Sequence, residues 1–217
     1  MSLAIFDLDN TLLAGDSDHA WGQFLVEHNL VDGQYYEREN ERFYKAYQDG
    51  ALDIHGYLAF ALKPLSQHDL PTLEKWRQDF MRSKILPMIE PRARNLIDKH
   101  RRAGDTLIII TSTMDFITQP IAREFGVEHL IASQAEILNG RFTGNVVGTP
   151  CYHHGKVERL QAWVSEHGES MTGSSFYSDS HTDLPLLNTV DNPIAVNPDE
   201  VLRIEAQNRG WPIIDNH

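Results

Sequence analysis

Two aspartates near the start of the chain, Asp7 and Asp9, are separated by one residue and follow a short apolar run. Ile5 and Phe6 in that run are typical of a buried strand, and parallel sheets place their chemistry at the carboxyl ends of strands. Carboxylates buried at such an edge would be driven to take up protons unless a partner faced them. The pattern therefore predicts that the two aspartates bind a cation, a hydrogen-bonding partner or both.

Further polar residues lie where predicted strands end or predicted helices begin. In chain order they are Thr111 and Ser112, Lys156, Asp179 and Asp183. Because the carboxyl ends of parallel strands meet at one sheet edge, we expect these residues to lie near the first two aspartates. A lysine at a helix start is unfavourable beside the helix dipole unless an anion is bound nearby, so Lys156 indicates an anion. The amides of residues 112–113, at a predicted helix start, suit the same anion.

The elements that position these residues alternate between strand and helix. The predicted strands are 3–6, 106–110, 130–137, 141–147, 175–178, 194–196 and 212–214. The predicted helices are 92–103, 111 to about 125, 155 to about 167, a short one through 187, and one from 198 or 199. This alternation predicts a parallel sheet, with one hairpin at Asn139-Gly140.

The segment from about 16 to 85 reads as largely helical, without a strand that would pair with residues 3–6. Trp21, Phe24 and Leu25 recur at helical spacing, and a further apolar and aromatic stripe follows at Tyr36, Phe43, Tyr47, Leu58 and Leu62. We interpret this stripe as helical core rather than as a ligand wall. Pro64, Pro71, Pro87 and Pro91 punctuate the segment, and 87–91 is the predicted return linker. The sequence thus predicts a core of 1–15 and 86–217 with a helical domain, 16–85, inserted.

Composition limits the class of partner. The 217 residues carry a net charge of −12 with a sequence pI near 5.3, which argues against nucleic acid or an anionic membrane as the main partner. The single cysteine, Cys151, cannot form an internal disulfide, so we predict a reduced compartment and a bystander role for this thiol. The chain has neither an apolar run of about 18 residues nor a signal sequence, and a cytoplasmic location is predicted.

In order and spacing, Asp7/Asp9/Thr11, Thr111, Lys156 and Asp179/Asp183 resemble the four motifs of the haloacid dehalogenase (HAD) superfamily of phosphotransferases. The helical insertion after the first motif is similar to subfamily IB, the phosphoserine-phosphatase-like group. The resemblance covers the whole chain. It implies a Rossmann-like parallel-sheet core with a helical cap of the C1 type, and a Mg²⁺-dependent phosphomonoesterase.

The chemistry assigns distinct tasks to the first two acids. Asp7 can attack phosphorus to give an aspartyl phosphate, and Asp9 can protonate the leaving alcohol and then deprotonate the hydrolytic water. We expect Thr111, Ser112 and Lys156 to bind the phosphate. These five residues are the predicted catalytic and phosphate-binding set.

The resemblance also implies a magnesium site. The implied ligands are Asp7, the main-chain carbonyl of Asp9, and Asp179, while Asp183 would hold Lys156 or a metal-bound water. Oxygen ligands of this kind suit Mg²⁺ rather than zinc. Serines stand at 178 and 180 where the family motif usually has glycines, which puts the geometry of this loop in question.

Other chemistries fit the sequence less well. The segment 180–183 contains serine, histidine and aspartate but is too contiguous for a catalytic triad. Cys151 with His153 and His154 lacks a second pair of zinc ligands. The segment 155–157 lacks the flanking residues of a phosphate-binding P-loop. An acid at Asp9 disfavours a dehalogenase, and a non-catalytic scaffold that binds a phosphorylated ligand remains an alternative.

Substrate choice is predicted to lie in the insertion. Asp16 stands where phosphoserine phosphatases carry an acid that binds the substrate ammonium, but Ala61 lies near the position of their carboxylate-binding arginine. Lys63 is the available substitute, so phosphoserine stays an alternative. A phosphate ester with a cationic group and no carboxylate fits better, and histidinol phosphate is the best match. Its ammonium would meet Asp16 or Glu27 and its imidazole the aromatic residues of the insertion, which would place the chain in amino-acid biosynthesis.

Overall fold

The computed structural model describes residues 2–215, and one seven-stranded sheet organises them. The strands are β1 (Leu3–Phe6), β2 (Thr106–Met114), β3 (His129–Leu138), β4 (Arg141–Val147), β5 (Ser175–Ser178), β6 (Asn192–Val196) and β7 (Ile213–Ile214). Their order is β4-β3-β2-β1-β5-β6-β7. Neighbours run parallel except for the β3–β4 hairpin. The predicted α/β fold with a Rossmann-like parallel sheet is confirmed.

The helices in chain order are α1 (Ser17–Glu27), α2 (Gly33–Gln48), α3 (Ile54–Gln67), α4 (Leu70–Phe80), α5 (Leu86–Met88), α6 (Pro91–Ala103), α7 (Asp115–Glu124), α8 (His154–His167), α9 (Leu184–Leu187) and α10 (Glu200–Arg209). A π-helical turn, Met81–Ile85, joins α4 to α5. Several helices begin after an aspartate whose carboxylate accepts main-chain amides, as Asp16 does for α1. Among residues 2–215 no helix has the length and apolar character to cross a membrane.

Both faces of the sheet are buried under helices. Alternate strand residues point to opposite sides of the sheet and so join different hydrophobic clusters. In β1, Ala4 and Phe6 join the hydrophobic cluster that includes the inserted helices, whereas Leu3 and Ile5 join the cluster with α8, α9 and α10. All four residues of this strand are buried. Burial on both sides explains why a run with no polar residue precedes Asp7.

The helical insertion leaves and re-enters the core at neighbouring points. The Ala14 amide donates to the Met88 carbonyl at 2.9 Å, and Leu13 forms a bridge with Ile89. Between these points lie α1 to α5. The division into a core of 1–15 and 86–217 and an inserted domain of 16–85 stays a prediction.

The inserted helices are packed onto the core through aromatic residues. Trp21 of α1 contacts Phe80 of α4 with ring centroids 5.1 Å apart, and contacts Phe116 of α7 at 6.1 Å. These rings belong to the same buried cluster as residues of β1 and β2. The insertion and the sheet therefore share one hydrophobic core.

The prediction of a helix from residue 111 is wrong. Strand β2 continues through Met114, and α7 begins at Asp115. The register between β2 and β3 shifts between Ile110 and Met114, which indicates an irregular stretch at residues 111–113. The β-branched threonines in this stretch favour extended backbone, and the polar run that suggests a helix start is the end of a strand instead.

Pro71 and Pro91 stand at the starts of α4 and α6, as the sequence suggests, but Pro64 and Pro87 do not break a helix. Pro64 lies inside α3, and Pro87 lies in the first turn of α5, so the predicted linker at 87–91 contains a helical turn. In a first turn the missing N–H of proline costs little, because that group has no intrahelical partner. The predicted hairpin is confirmed, with Asn139 and Gly140 both at positive φ.

Candidate active site

Three strand ends meet where the predicted chemistry lies. Strand β1 has β2 on one side and β5 on the other, so Asp7, Thr111 and Asp179 come to the same edge of the sheet. The Asp7 amide continues the ladder by donating to the Tyr177 carbonyl at 2.9 Å. Open α/β sheets bind ligands at such edges, where neighbouring strands connect in different directions.

Lys156 lies between two carboxylates. Its Nζ donates to Asp7 Oδ1 at 2.7 Å and to Asp183 Oδ2 at 2.8 Å, and all three residues are buried. Burial alone lowers the pKa of the Lys156 ammonium, but Asp183 and Asp7 outweigh it and the pKa is raised. Burial raises the pKa of Asp7 to about 7 even though Lys156 opposes the rise. The structure thus brings Asp7, Lys156 and Asp183 into one charged network.

Neighbouring small residues position this network. A Cβ on Gly155 would overlap the Pro150 carbonyl oxygen, so the start of α8 approaches the preceding loop only because residue 155 is glycine. The Ser178 hydroxyl donates to Asp183 Oδ2 at 2.7 Å and accepts the Ser180 amide at 3.2 Å. The serine that replaces a family glycine at 178 therefore orients the acid that holds Lys156.

Asp9 is held by donors from two other elements. Its Oδ1 accepts the Ser17 amide at 2.6 Å, and its Oδ2 accepts the Thr113 hydroxyl at 2.9 Å and the Thr111 hydroxyl at 3.5 Å. Burial and the nearby Asp16 raise the pKa of Asp9 to about 6, whereas the bonds from Ser17 and Thr113 lower it. A carboxyl group with this pKa can both release and accept a proton near neutral pH.

The acids of this edge outnumber its cations. Asp179 is buried beside Asp7 and Asp183, and its Oδ1 accepts the Thr11 hydroxyl at 3.2 Å. Burial, then Asp7 and Asp183, raise the pKa of Asp179 well above its usual value. Lys156 neutralises one of these three carboxylates, which leaves an excess of negative charge in a buried place.

This donor set fits a magnesium ion. Within residues 2–215 no group of three or more His, Cys, Asp or Glu side chains is placed to hold a metal. Mg²⁺ does not need such a cage, because it is held by one or two carboxylates and keeps several waters. Asp7, Asp179 and the main-chain carbonyl of Asp9 would hold it.

A pocket of about 540 Å³, including the space at its mouth, opens above Asp7 and Asp9. It is lined by Ser112 and Thr113 of β2 and by residues of the loop before α1, of the inserted helices and of the loop between α2 and α3: Asp16, Asp18, His19, Asn40, Phe43, Tyr44, Tyr47, Leu52, Ile54 and Tyr57. None of these lining residues, all within the described range 2–215, is a lysine or an arginine. The pocket is therefore acidic and partly aromatic.

Two of the pocket acids stand at the start of α1. Asp16 Oδ1 accepts the amides of Asp18 at 2.9 Å and His19 at 2.8 Å, so this predicted specificity residue is also the N-cap of the helix. Tyr57 of α3 lines the same pocket, and its hydroxyl lowers the pKa of Asp18. Burial raises the pKa of both acids to about 7.

Comparison with known proteins identifies the family. A family model described as haloacid dehalogenase-like hydrolase matches residues 4–188. The chain belongs to this family. A protein named histidinol-phosphatase from Neisseria meningitidis serogroup C is 46% identical over 99% of this chain and 98% of that protein. A protein named phosphoserine phosphatase from Mycobacterium tuberculosis is 30% identical over 98% of this chain and 70% of that protein.

Solved structures share the fold of this chain. A protein of unknown function from Bordetella pertussis has a TM-score of 0.93 at 42% identity, over 99% of this chain and 98% of that one. A phosphoserine phosphatase with bound substrate has a TM-score of 0.73 at 18% identity, over 98% and 92%. The prediction of a HAD phosphatase is confirmed, because the family model matches and relatives over nearly the whole chain are named phosphatases.

Other predicted binding residues of this HAD protein lie away from the pocket. Glu27 pairs with Lys84 at 2.7 Å on the surface. Lys63 is exposed and lies over the Tyr35 ring, 5.7 Å from its centroid, in a separate outer groove. Ala61 is buried in the core. Neither Glu27 nor Lys63 lines the pocket above Asp7 and Asp9.

The aromatic stripe has two roles. Tyr36 packs on Phe60 with ring centroids 4.4 Å apart, as helical core should. Phe43 and Tyr47, on the same helix, line the pocket together with Tyr44, so the interpretation as core alone is wrong for these two residues of the stripe. Tyr44 stacks on His19 at 4.3 Å.

The contacts of the 180–183 segment argue against a serine triad. His181 Nδ1 lies 2.7 Å from Asp199 Oδ2, and the Ser180 hydroxyl lies 2.9 Å from the Thr182 hydroxyl.

Cys151 is buried, with Sγ 3.6 Å from the Ile131 carbonyl, and burial raises the pKa of its thiol to about 12. These contacts are structural, in agreement with a bystander role for Cys151.

Sequence reasoning missed Asp18 and Tyr57. Asp18 repeats the one-residue separation of the first motif relative to Asp16, and that spacing in a first helical turn is a signal that could have found it. Tyr57 reaches the pocket from α3, and nothing in its local sequence indicates that.

Proposed function

We propose that this HAD protein is a Mg²⁺-dependent phosphomonoesterase that hydrolyses histidinol phosphate through an aspartyl phosphate on Asp7. The observation that carries the proposal is the pocket above Asp7, which is acidic and aromatic and has no lysine or arginine among its described lining residues. An ammonium and an imidazole suit such a pocket, whereas a carboxylate would lack a cationic partner. The name of the Neisseria relative supports the same substrate.

The first step transfers the phosphoryl group from the substrate to Asp7. An Asp7 carboxylate oxygen forms a bond to phosphorus while the bond from phosphorus to the ester oxygen breaks. Protonated Asp9 gives its proton to the departing alkoxide, so histidinol leaves as an alcohol. Bound Mg²⁺ would neutralise charge between the carboxylate and the phosphate.

The second step returns Asp7 to its free form. Asp9, now ionised, takes a proton from water as the water oxygen attacks phosphorus, and the bond to Asp7 breaks. The Lys156 ammonium, the Thr111 hydroxyl and the Ser112 amide would bind the phosphate oxygens. The Ser17 amide and the Thr113 hydroxyl keep the Asp9 carboxyl in place through both steps.

Turnover of p-nitrophenyl phosphate tests the mechanism. We expect hydrolysis that requires Mg²⁺, and a loss of about 10³-fold or more in kcat for Asp7→Asn. Asp98→Asn, an exposed aspartate on α6, is the matched control and should keep its rate. Equal rates for Asp7→Asn and the unchanged protein would exclude the covalent step, and no turnover by any variant would favour a non-catalytic scaffold.

A substrate panel tests the specificity. Histidinol phosphate should give the highest kcat/KM, with phosphoserine much lower because its carboxylate would enter an acidic pocket. A higher kcat/KM for phosphoserine would overturn the substrate assignment while leaving the phosphatase intact. The activity would place the protein in amino-acid biosynthesis, with a small phosphorylated metabolite as its partner and a cytoplasmic location.

A further inference from the structure

The four acids of the pocket, Asp7, Asp9, Asp16 and Asp18, have different neighbours. Asp16 lies beside the catalytic pair, since the next residue, Ser17, donates its amide to Asp9 at 2.6 Å. Asp18 lies toward the inserted helices, where the Tyr57 hydroxyl lowers its pKa. All four acids line one pocket, in which Asp16 is a neighbour of Asp7 and Asp18 is a neighbour of Tyr57 on the inserted helix α3.

Histidinol phosphate carries its groups in a fixed order. The carbon next to the phosphate-bearing carbon carries the ammonium, and the imidazole follows one carbon further. With phosphorus at Asp7, the ammonium falls near Asp16 and the ring extends toward Asp18. Each ring N–H needs an acceptor when the ring leaves water, and a carboxylate is the strongest acceptor available.

We propose that Asp18 is a second specificity-determining residue, which accepts a hydrogen bond from the ring N–H of the substrate while Asp16 binds the ammonium. This proposal rests on the proposed function. Tyr57 would be a positioning residue, because it lines the same pocket and its hydroxyl is the neighbour that lowers the pKa of Asp18. Asp18 also disfavours phosphoserine, whose carboxylate would approach a second negative charge.

The surroundings of Asp18 favour a cationic or N–H-bearing ligand. Burial raises the pKa of Asp18 to about 7 and Asp9 contributes to the rise, while the Tyr57 hydroxyl opposes it. The lining of the pocket within residues 2–215 contains no lysine or arginine to pair with this acid. Phe43, Tyr44 and Tyr47 supply aromatic walls against which a flat ring can stack.

Two analogues separate the roles of the two acids. 2-Amino-3-phenylpropyl phosphate keeps the ammonium but has a ring without N–H, and 3-(imidazol-4-yl)propyl phosphate keeps the imidazole but has no ammonium. For Asp18→Ala we expect kcat/KM for histidinol phosphate to fall by about 10- to 100-fold, with a much smaller fall for the phenyl analogue. Asp16→Ala should show the opposite pattern, with the smaller fall for the analogue that lacks the ammonium.

Further variants keep the test decisive. Asp18→Asn retains the shape of the side chain and should give an intermediate loss with the same selectivity, even if Asp18→Ala folds poorly. Tyr57→Phe should reproduce the selectivity of Asp18→Asn at smaller amplitude. Asp69→Ala, which removes the exposed N-cap of α4 outside the pocket, is the matched control and should leave all ratios between substrates unchanged.

The outcomes distinguish this proposal from the proposed function. Equal losses on histidinol phosphate and the phenyl analogue in both Asp18 variants, or no loss on either, would overturn the role of Asp18. If the unchanged protein does not prefer histidinol phosphate to both analogues, the proposed function itself fails. Preference in the unchanged protein together with selective loss in the Asp18 variants supports both.

Discussion

Lys156 binds Asp7, the proposed nucleophile, and Asp183 at the same time, with both distances below 3 Å. A buried ammonium in this position holds Asp7 in one orientation and keeps a positive charge where a phosphate oxygen would arrive. The same contacts mean that the charge balance of the site depends on one side chain. Stability and catalysis therefore share a residue.

Replacing Lys156 by methionine tests this dependence. We expect Lys156→Met to lower the free energy of unfolding by about 3 kcal/mol, because it leaves buried carboxylates without their cation, and to abolish turnover. Urea unfolding should show part of the loss restored by Mg²⁺, which would bind the same acids. Lys84→Met removes a partly exposed pair with Glu27 and should cost less than about 1 kcal/mol.

If Lys156→Met unfolds at the same urea concentration as the unchanged protein, the carboxylates of the site are not held as charged groups. That result would contradict the network as described, whatever the variant's activity.

Asp18 predicts a pH-dependent stability. Its folded pKa is about 7 against an ordinary value of 3.8, so the folded state binds more protons than the unfolded state between these values. Its contribution to stability is therefore full below pH 3.8 and is lost as the pH rises through about 7. Asp18→Asn should raise the free energy of unfolding at pH 8 by about 1 kcal/mol, a discounted figure because the side chain is partly exposed.

Thermal unfolding of Asp18→Asn at pH 8 and pH 4.5 measures this effect, without Mg²⁺ or substrate. The gain in Tm should be larger at pH 8. A gain of equal size at both pH values would show that the Asp18 carboxylate is not destabilised by burial.

At the same scale, sequence patterns could predict Asp7, Asp9, Lys156, Asp179 and Asp183 as a set, because each follows a strand end or begins a helix. Their proximity then follows from parallel strands ending at one edge. Tyr57 could not be predicted, since its distance from Asp18 depends on how α3 packs across the insertion. Ser178 departs from the family motif in the sequence. In the structure its hydroxyl positions Asp183 through a hydrogen bond.

At the scale of elements, the end of β2 decides how Asp9 is held. The sequence suggests a helix start at residues 111–113, but extended backbone there brings the Thr111 and Thr113 hydroxyls to Asp9. The error arises because polar residues after an apolar run can equally cap a helix or end a strand. Pairing with β3 settles it, and that pairing is not visible locally.

The start of α8 offers a direct test of an element as a positioning device. Gly155→Ala would force α8 away from Pro150 and move Lys156, and displacements of about 1 Å at a catalytic group can cost about 10²-fold in rate. We expect kcat for p-nitrophenyl phosphate to fall by at least about 10-fold. Steady-state kinetics measures it.

Gly168→Ala at the other end of α8 is the matched control. Gly168 has φ of 66° and open space around its Cα, so alanine there should cost about 1 kcal/mol of stability through backbone strain and leave kcat unchanged. Equal kcat values for Gly155→Ala and Gly168→Ala would show that α8 tolerates the displacement.

At the scale of the whole molecule, one hydrophobic cluster joins the insertion to the sheet through Trp21, Phe80 and Phe116. We therefore expect urea unfolding in a single cooperative transition, without an earlier loss of the inserted helices. Two variants that each retain one tryptophan, Trp21 in the insertion or Trp163 on α8, would report the two regions by fluorescence. For each variant, the unfolding curve followed by fluorescence should coincide with the curve of the same variant followed by far-ultraviolet circular dichroism.

An earlier transition for the variant that retains Trp21 would mean that the insertion unfolds as a separate unit. The predicted division at residues 15/16 and 85/86 would then also be a division in stability.

The overall architecture shows how far sequence patterns reach. The alternation of strands and helices predicts a parallel sheet, and Asn139-Gly140 predicts the hairpin, because both are local signals. The strand order β4-β3-β2-β1-β5-β6-β7 depends on pairings between distant residues such as Phe6 and Tyr177, and no local pattern encodes it.

The neighbouring exit and return of the insertion at Ala14 and Met88 suggest an exchangeable unit, yet Trp21 anchors α1 to α7 of the core. A chimaera cut at the base would expose an apolar surface on both fragments. Two cuts, near residue 28 and near residue 69, would exchange α2 and α3 alone, and with them the aromatic wall and Tyr57. Exchange of these two helices would therefore change the aromatic lining of the pocket while Asp7, Asp9, Asp16 and Asp18 stay in place.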